Sequence, residues 1–450
     1  MKKLRSGDII RSIVVTMILI SLLIILYGKA GTTNRSNLPL FLYGIIVTTA
    51  IFFTFLITHL KYKDLSEEIR KKNLSDKLRK PFISCIFAVY NDEVVVRRCI
   101  DSLLNSTYKN KEIIVVNDAS TDKTKEVLEQ YKDQIKIINL SKNVGKKKAI
   151  GEGIRASKGE IFVFTDSDSV IVPDAIERII ETFMYDQDIG AVSGHGRALN
   201  ADENFLTKVQ DSWYETQFSV KKAMESSYGA VTCVSGPLAV FRRDAIYNYV
   251  PAWENDKFLG KEFRFATDRT LTSFVLGSKY IGKKLKKKYA DSPFVKEINY
   301  PERDWKVIYC KSAKVYTIVP NTLKKIIRQN VRWKKSFIRS LFFIGTFYWK
   351  KHPVVAIRYY LGVVFTIVGP FIALRHLIYL PITGSEWSGL FYLSGIMFIG
   401  SMYGIMFKLE NPRSGEWVYR PFMSLLSTLL LSWLIFYSAV TIKKNIWHRG

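Results

Sequence analysis

The sequence predicts an α/β domain on a mostly parallel, doubly wound sheet, inserted between N- and C-terminal membrane helices. Three observations carry that expectation. Long apolar runs cluster near both ends of the chain. Between them, strand-like and helix-like segments alternate, as in βαβ units. Aspartates recur where the strands end, the place where open sheets of this kind bind ligands.

The first apolar run covers 9–28; the second, 39–60, carries no Asp, Glu, Lys or Arg. At about 1.5 Å per helical residue, each is long enough to cross a hydrocarbon core of about 30 Å. The basic opening Met1–Arg5 also suits a cleaved signal peptide. The length of the run, the lack of a clean small-x-small site and the second span close behind favour two membrane helices within 1–60. A basic linker follows at 61–80, holding Lys61, Lys63, Arg70, Lys71, Lys72, Lys77, Arg79 and Lys80. Positive charge there places the N-terminus and the central domain on the cytosolic side of a multi-pass cell-membrane protein, with 30–38 as an outer loop.

The central domain is expected over 81–320. Pro81 precedes an apolar run at 82–89 suited to a buried parallel strand. Helical spacing follows at 93–104, then strand 112–116, helix 122–131, strand 135–140, helix 146–157, and a strand from 161 that ends in acids at 166 and 168. Amphipathic interface helices are expected over 321–350, with a basic stretch at 322–340 that suits anionic headgroups. Residues 351–450 contain three further apolar stretches, near 356–380, 389–407 and 421–442. Arg413 and Arg420 lie before the last stretch, and Lys443, Lys444 and Arg449 after it. It is therefore expected to lie at the interface or re-enter, leaving a cytosolic C-terminus. Arg358, Arg375 and His376 are expected to face the helix bundle rather than lipid.

The 67 Lys and Arg exceed the 40 Asp and Glu, for a net charge of +27. Given the membrane spans, that excess points to anionic membrane lipids and a phosphate-bearing substrate rather than to nucleic acid. Cys85, Cys99, Cys233 and Cys310 are too few for a disulfide scaffold, and no C-x-x-C pair argues for zinc.

The polar strand ends carry the candidate chemistry. Asp92 follows the first strand, Asp118 the second, and Asp166 and Asp168 the fourth. A D-x-D pair leaving a strand brings two hard oxygen ligands together, which suits Mg²⁺ or Mn²⁺ held partly by a diphosphate. Gly145-Lys146-Lys147-Lys148 opens a helix, where backbone N–H groups and lysine charge favour an anion. Val234-Ser235-Gly236-Pro237-Leu238 makes a tight turn of small residues that a ligand or another backbone can approach closely. Ala266–Thr272 puts Asp268 at a helix start, and Gln329–Trp333 lies on the amphipathic stretch.

In their order, D-S-D at 166–168, V-S-G-P-L at 234–238, F-L-G at 258–260, T-D-R-x-L-T at 267–272 and Q-x-x-R-W at 329–333 resemble a known family. It is the membrane-embedded, processive branch of glycosyltransferase family 2, above all the hyaluronan synthases, with chitin and cellulose synthases more distant. The resemblance covers about 80–450 and implies a Rossmann-like GT-A domain. It implies UDP-sugar donors, a growing polysaccharide acceptor and an inverting reaction. Tyr90, Asp92 and Asp118 would hold the uracil, with Gly145, Lys146 and Lys147 as nucleotide contacts. Asp166 would face the ribose or diphosphate, Asp168 would bind the metal, and Asp268 would be the general base. Arg332 would clamp the diphosphate. Ser235, Gly236, Pro237, Gln329 and Trp333 would meet the acceptor, and Trp447 and Arg449 would close over the nucleotide.

The chain departs from the family pattern in three places. Ala266-Thr267-Asp268-Arg269 stands for G-D-D-R, Trp447-His448-Arg449 for W-G-T-R, and 279–307 is longer and more basic than the family segment, as a surface insertion would be. The nearest alternative product is a chitin-type oligosaccharide from UDP-GlcNAc alone. The reading from a different class is a non-catalytic scaffold that binds a sugar nucleotide.

Overall fold

The computed structural model describes Thr16, Ile20, Leu23 and residues 38–444. The expected span at 9–28, apart from those three positions, and the expected nucleotide contacts Trp447 and Arg449 lie outside the described residues. Helix α1 (Leu38–Lys61) is the second expected span. The basic linker after it is anchored to the domain. Asp64 caps the short helix Leu65–Lys71 and also accepts from the Ser312 N–H at 2.6 Å. Arg70 pairs with Glu181 at 3.0 Å, Arg79 with Glu160 at 2.6 Å and Lys80 with Glu177 at 3.3 Å. These three cations pair with the domain's own acids, Arg79 and Lys80 at the exposed surface.

The sheet grows from strand β1 (Ile83–Val89), buried along its whole length. Its residues alternate between two cores, as a period of two requires. Ile83, Cys85, Phe87 and Val89 pack with Val96, Cys99, Ile100 and Leu103 of α2 (Val96–Leu104), which recur at helical spacing. Ile86 and Ala88 face the other core, with Ala149, Ile150 and Ile154 of α3 (Lys146–Arg155). The remaining strands are β2 (Lys111–Asn117), β3 (Lys136–Asn139), β4 (Ile161–Phe164), β5 (Ser169–Ile171), β6 (Ile189–Ala198), β7 (Ala239–Arg242), the hairpin β8 (Lys257–Phe258) and β9 (Lys261–Glu262), and β10 (Lys306–Thr317).

The main sheet runs β3-β2-β1-β4-β7-β6-β10-β5. Strands β1 to β4 are mutually parallel, β7 runs antiparallel to both β4 and β6, β10 is parallel to β6, and β5 pairs antiparallel with β10. The expected α/β architecture is observed, with the second half of the sheet mixed in direction. Val231–Cys233 makes no strand; its neighbour Ala230 forms only a single bridge, to Val307. The F-L-G segment is the turn of the β8/β9 hairpin, with Leu259 and Gly260 at φ of 50° and 82°.

Two long helices flank the site: α4 (Phe205–Thr216) and α5 (Thr267–Lys288). The stretch read as an insertion begins inside α5, and its remainder is anchored. The Asn248 side chain donates to the carbonyls of Phe294 and Ile298, both at 2.6 Å, and accepts from the Tyr300 N–H at 2.8 Å. The amphipathic stretch is one helix, α6 (Leu323–Ile344), capped by Thr322.

Beyond it come α7 (Pro353–Leu374), α8 (Ser388–Glu410), α9 (Arg420–Leu429) and α10 (Leu434–Val440). Among the described residues, three helical stretches are long and apolar enough to cross a membrane: Leu42–Lys71, Pro353–Ile382 and Ser388–Leu409. Arg358 on α7 donates to the Thr54 hydroxyl of α1 at 3.0 Å, and the His376 ring stacks on Tyr392 of α8 at 5.0 Å. Both side chains therefore face neighbouring helices.

Glu416–Leu429 and Leu431–Val440 are bent by 45° at their junction. Both limbs rest on the α/β domain and on α6. Arg420 donates to Thr216 of α4 at 2.8 Å, and Met423 and Leu431 pack with Val209 and Ile326. Ser438 donates to the Val331 carbonyl at 3.3 Å, and Lys335 to the Lys444 carbonyl at 2.8 Å. The end of the bent pair is thus held against α6. In a background without the native cysteines, Lys444→Cys should react with a membrane-impermeant maleimide only after permeabilisation; labelling of intact cells would mean that α9 and α10 cross.

Candidate active site

The D-S-D segment is clamped between two strands. It leaves β4 at Phe164 and enters β5 at Ser169, which pairs with Thr317 of β10. The Thr165 hydroxyl donates to the Pro237 carbonyl at 2.8 Å. Side chains then alternate. Asp166 and Asp168 line a cavity of about 880 Å³, whereas buried Ser167 turns back and donates to Asp92 at 2.5 Å. Asp168 accepts from the Thr317 hydroxyl at 3.2 Å. Asp166 forms an ion pair with Lys146.

Lys146 stands on the first turn of α3, and Asp118 builds that turn. The buried Asp118 carboxylate accepts the N–H groups of Val144 at 2.7 Å and Gly145 at 2.9 Å. Gly145, at φ 87°, occupies a conformation closed to most side chains. Burial raises the Asp118 pKa, opposed by those two hydrogen bonds. Asp118 thus braces the loop that presents Lys146. Tyr90 is 39% exposed just past β1, while Asp92 lines the cavity.

Lys147 corrects the sequence expectation. It is buried, pairs with Asp256 at 3.2 Å and donates to the Phe263 carbonyl at 2.8 Å. One residue along a helix turns a side chain by about 100°, so Lys146 enters the cavity and Lys147 ties α3 to the segment around the hairpin.

Asp268 approaches from the opposite wall, on the first turn of α5. The helix start is set by Ala266 at φ 63°, ψ 46°, a left-handed conformation that favours glycine. That is the position where the family pattern has Gly. The V-S-G-P-L turn docks onto this helix end. The Val234 N–H donates to the Thr272 hydroxyl at 3.0 Å, and the Gly236 N–H to Asp268 Oδ2 at 3.1 Å. The Cys233 thiol reaches the same carboxylate oxygen at 3.7 Å. On its other side, Gly236 abuts Asp166: a Cβ built on it would lie 3.1 Å from Asp166 Oδ2. One glycine therefore separates the two acids.

Helix α6 supplies Gln329, Arg332 and Trp333 to the same cavity. The Trp333 ring stacks on Trp213 at 5.8 Å and meets Tyr214 edge-on at 6.4 Å, both on α4. Trp213 and Tyr214 had no motif to announce them. Burial raises the Tyr214 pKa, helped by Asp168 and Asp166, while a hydrogen bond from Gln329 and the charge of Arg332 oppose it.

Sequence reasoning also missed Lys222. The segment Gln217–Lys222 is a π-helical turn, a form common at functional sites and without a sequence signature. Lys222 Nζ donates to the Ser193 hydroxyl at 3.0 Å, the Cys233 carbonyl at 2.8 Å and the Ser235 hydroxyl at 2.5 Å. It therefore holds the turn that carries Gly236. Burial pulls its pKa down to about 8, against the opposing charges of Cys233, Asp268 and Glu225.

Among the described residues, no group of three or more His, Cys, Asp or Glu side chains could hold a metal ion. The Asp166 and Asp168 carboxylates open onto a space with room for ligand oxygens. Such a sparse set of hard donors fits Mg²⁺ or Mn²⁺ completed by a phosphate-bearing ligand.

Residues 84–250 match the family model "Glycosyl transferase family 2". The chain is similar to the hyaluronan synthase of Streptococcus pyogenes, 26% identical over 377 residues, covering 81% of this chain and 82% of that protein. It is also similar to an N-acetylglucosaminyltransferase of Mesorhizobium japonicum, 31% identical over 266 residues, covering 58% of this chain and 57% of that protein. In fold it is similar to the mannosyltransferase PcManGT of Pyrobaculum calidifontis, solved with GDP-Man and Mn²⁺. There the TM-score is 0.52 and the identity 16%, over 97% of this chain and 100% of that one.

A Cβ at Gly236 would crowd the Asp166 carboxylate, so Gly236→Ala should lower turnover at this site by about tenfold with little change in thermal stability; unchanged turnover would show that the spacing is not needed. Lys222 keeps its charge below about pH 8 and loses it as pH rises through that value. Turnover should decline over that range, and Lys222→Arg should move the decline to higher pH. Identical pH profiles would remove Lys222 from the account.

Proposed function

We propose that this chain, a hyaluronan synthase-like member of glycosyl transferase family 2, adds sugars from UDP-sugar donors to a growing β-linked polysaccharide and feeds the polymer into the membrane. On this reading the product is hyaluronan, made from UDP-GlcNAc and UDP-GlcUA. The observation that carries it is one continuous cavity lined by Asp166, Asp168, Asp268 and Trp333, and also by Thr366 of the apolar helix α7.

On this reading the donor diphosphate lies between the D-S-D acids, Lys146 and Arg332. A divalent ion, Mg²⁺ or Mn²⁺, would be held by Asp168 with Asp166 beside it, and it supplies positive charge against the diphosphate. As the bond from the anomeric carbon to the diphosphate oxygen breaks, negative charge grows on UDP, and Lys146 and Arg332 stabilise it where it forms. The acceptor hydroxyl is a weak nucleophile. Asp268 takes its proton as its oxygen bonds to the anomeric carbon, and one displacement inverts that centre. The Gly236 N–H orients Asp268, and the Trp213–Trp333 pair offers an apolar face for the acceptor ring.

A chitin-type product from UDP-GlcNAc alone is the second reading, favoured by the likeness to the Mesorhizobium enzyme. A non-catalytic scaffold would not need an acid held against the V-S-G-P-L turn.

Purified protein in lipid, given each UDP-sugar alone and then the pair, decides between products. Polymer from the pair only is the expected result, and polymer from UDP-GlcNAc alone would replace hyaluronan with a chitin-type product. In the same assay, Asp268→Asn should lower transfer by about 10² to 10⁴ while still binding UDP; full turnover would remove the base assignment.

A further inference from the structure

We propose that Asp256 is a positioning residue: its buried carboxylate sets the separation of Lys146 and Arg332, the two cations expected on the donor diphosphate. This rests on the reading above that a diphosphate lies between them.

Asp256 stands just before the β8/β9 hairpin and is 4% exposed. Each of its oxygens takes a different cation. Oδ2 pairs with Lys147 Nζ at 3.2 Å, and Oδ1 accepts from Arg339 Nη2 at 2.7 Å and Nε at 3.2 Å. Lys147 adjoins Lys146 on the first turn of α3, and Lys146 pairs with Asp166 at the cavity. Arg339 follows Arg332 by about two turns of α6, so the two lie on one face of that helix. The carboxylate therefore bridges the helix that presents one diphosphate cation to the helix that presents the other.

The joint is braced on both sides. Lys147 also donates to the Phe263 carbonyl at 2.8 Å, and the Phe263 N–H donates to the Asp256 carbonyl at 2.8 Å, which closes the base of the hairpin. The Arg339 guanidinium lies 5.7 Å from the Phe258 ring and 5.4 Å from the Phe343 ring. The same segment runs on to Ala266, whose left-handed backbone starts the helix of Asp268. Both expected diphosphate cations and the expected base thus hang on one stretch of chain.

Two interior cations share this one acid. Burial lowers the Lys147 pKa; Asp256 opposes this and the Arg339 charge adds to it. A buried pair gains little net stability, because desolvation offsets its attraction, and a second cation adds desolvation without a second acid. What the arrangement fixes is direction. Both cations must point at one carboxylate, and that sets how α3 and α6 face each other. Cations stabilise a leaving diphosphate only where its charge forms, and a displacement of about 1 Å at such a site costs on the order of 10²-fold in rate.

The test is equilibrium binding of UDP, with Mn²⁺, to the full chain in nanodiscs, with melting temperature followed on the same preparations. Lys147→Met and Arg339→Met each leave Asp256 paired with the other cation. Both should melt close to the wild-type chain while binding UDP about tenfold more weakly, and Lys147→Arg should bind as the wild type does. A residue that acts through another adds nothing once that other is gone. Lys147→Met should therefore cost no further affinity in a Lys146→Met background, and Arg339→Met none in an Arg332→Met background. The triple variant Lys147→Met/Asp256→Asn/Arg339→Met, which removes all three charges, should show the loss of one single variant, not the product of two. Wild-type affinity in both single variants, the same loss in the backgrounds that lack Lys146 or Arg332, a loss of about a hundredfold in the triple variant, or losses that simply track melting temperature would each overturn the joint. UDP release from a UDP-sugar on the same preparations separates the two readings. Release by the wild-type chain with UDP affinity unchanged in the variants defeats the joint alone, whereas the expected affinities without release from any donor defeat the transferase reading alone.

Discussion

The approach of one backbone to two carboxylates is the constraint on which the site depends. Gly236 N–H donates to Asp268, and a Cβ built on it would lie 3.1 Å from a carboxylate oxygen of Asp166. Two acids on separate walls repel each other and are costly to hold close in a low-dielectric space. Here Asp166 is offset by Lys146, and Asp268 accepts a backbone hydrogen bond. The intervening glycine sets their separation without adding bulk. Lys222 holds the turn that carries this glycine, so a lysine on one helix controls a distance between acids on two other elements.

Charge in this chain is sorted by place. Three of the eight linker cations, Arg70, Arg79 and Lys80, pair with Glu181, Glu160 and Glu177 of the domain. Lys147 and Arg339 share Asp256 in the interior. The cavity then receives Lys146 beside Asp166, and Arg332 from α6. A net charge of +27 reported an anionic partner only in sum. Which cations are spent internally, and which face a ligand, is a matter of three-dimensional pairing.

Helix α6 couples the two halves of the molecule. Its polar face contributes Gln329, Arg332 and Trp333 to the cavity, and Ile326, Val331 and Lys335 receive α9, α10 and the chain that follows. An amphipathic helix between a membrane and a domain has one face for each. The bent helix pair within 421–442 packs Met423 and Leu431 against Val209 of α4 and Ile326 of α6.

The sequence by itself determined what local pattern can encode. The continuous apolar run of β1, the helical spacing of α2, the acids at strand ends and the longer apolar runs are patterns of contiguous residues, and among the described residues each appears in the structure within a few positions. The order of the motifs also carried the resemblance to glycosyl transferase family 2, whose family model matches residues 84–250. What only the tertiary structure decided depends on contacts between distant segments. Strands β6, β7 and β10 carry no clean alternation. β6 is rich in glycine because Trp305, Leu238 and Phe218 press on it from elsewhere in the chain. Lys146 and Lys147 are chemically identical neighbours, and only the placement of Asp166 and Asp256 separates a cavity lysine from a buried strut. The aromatic wall of Trp213 and Tyr214, the grip of Lys222 and the gap held by Gly236 have no periodicity at all, because each exists only once two remote pieces of backbone have met.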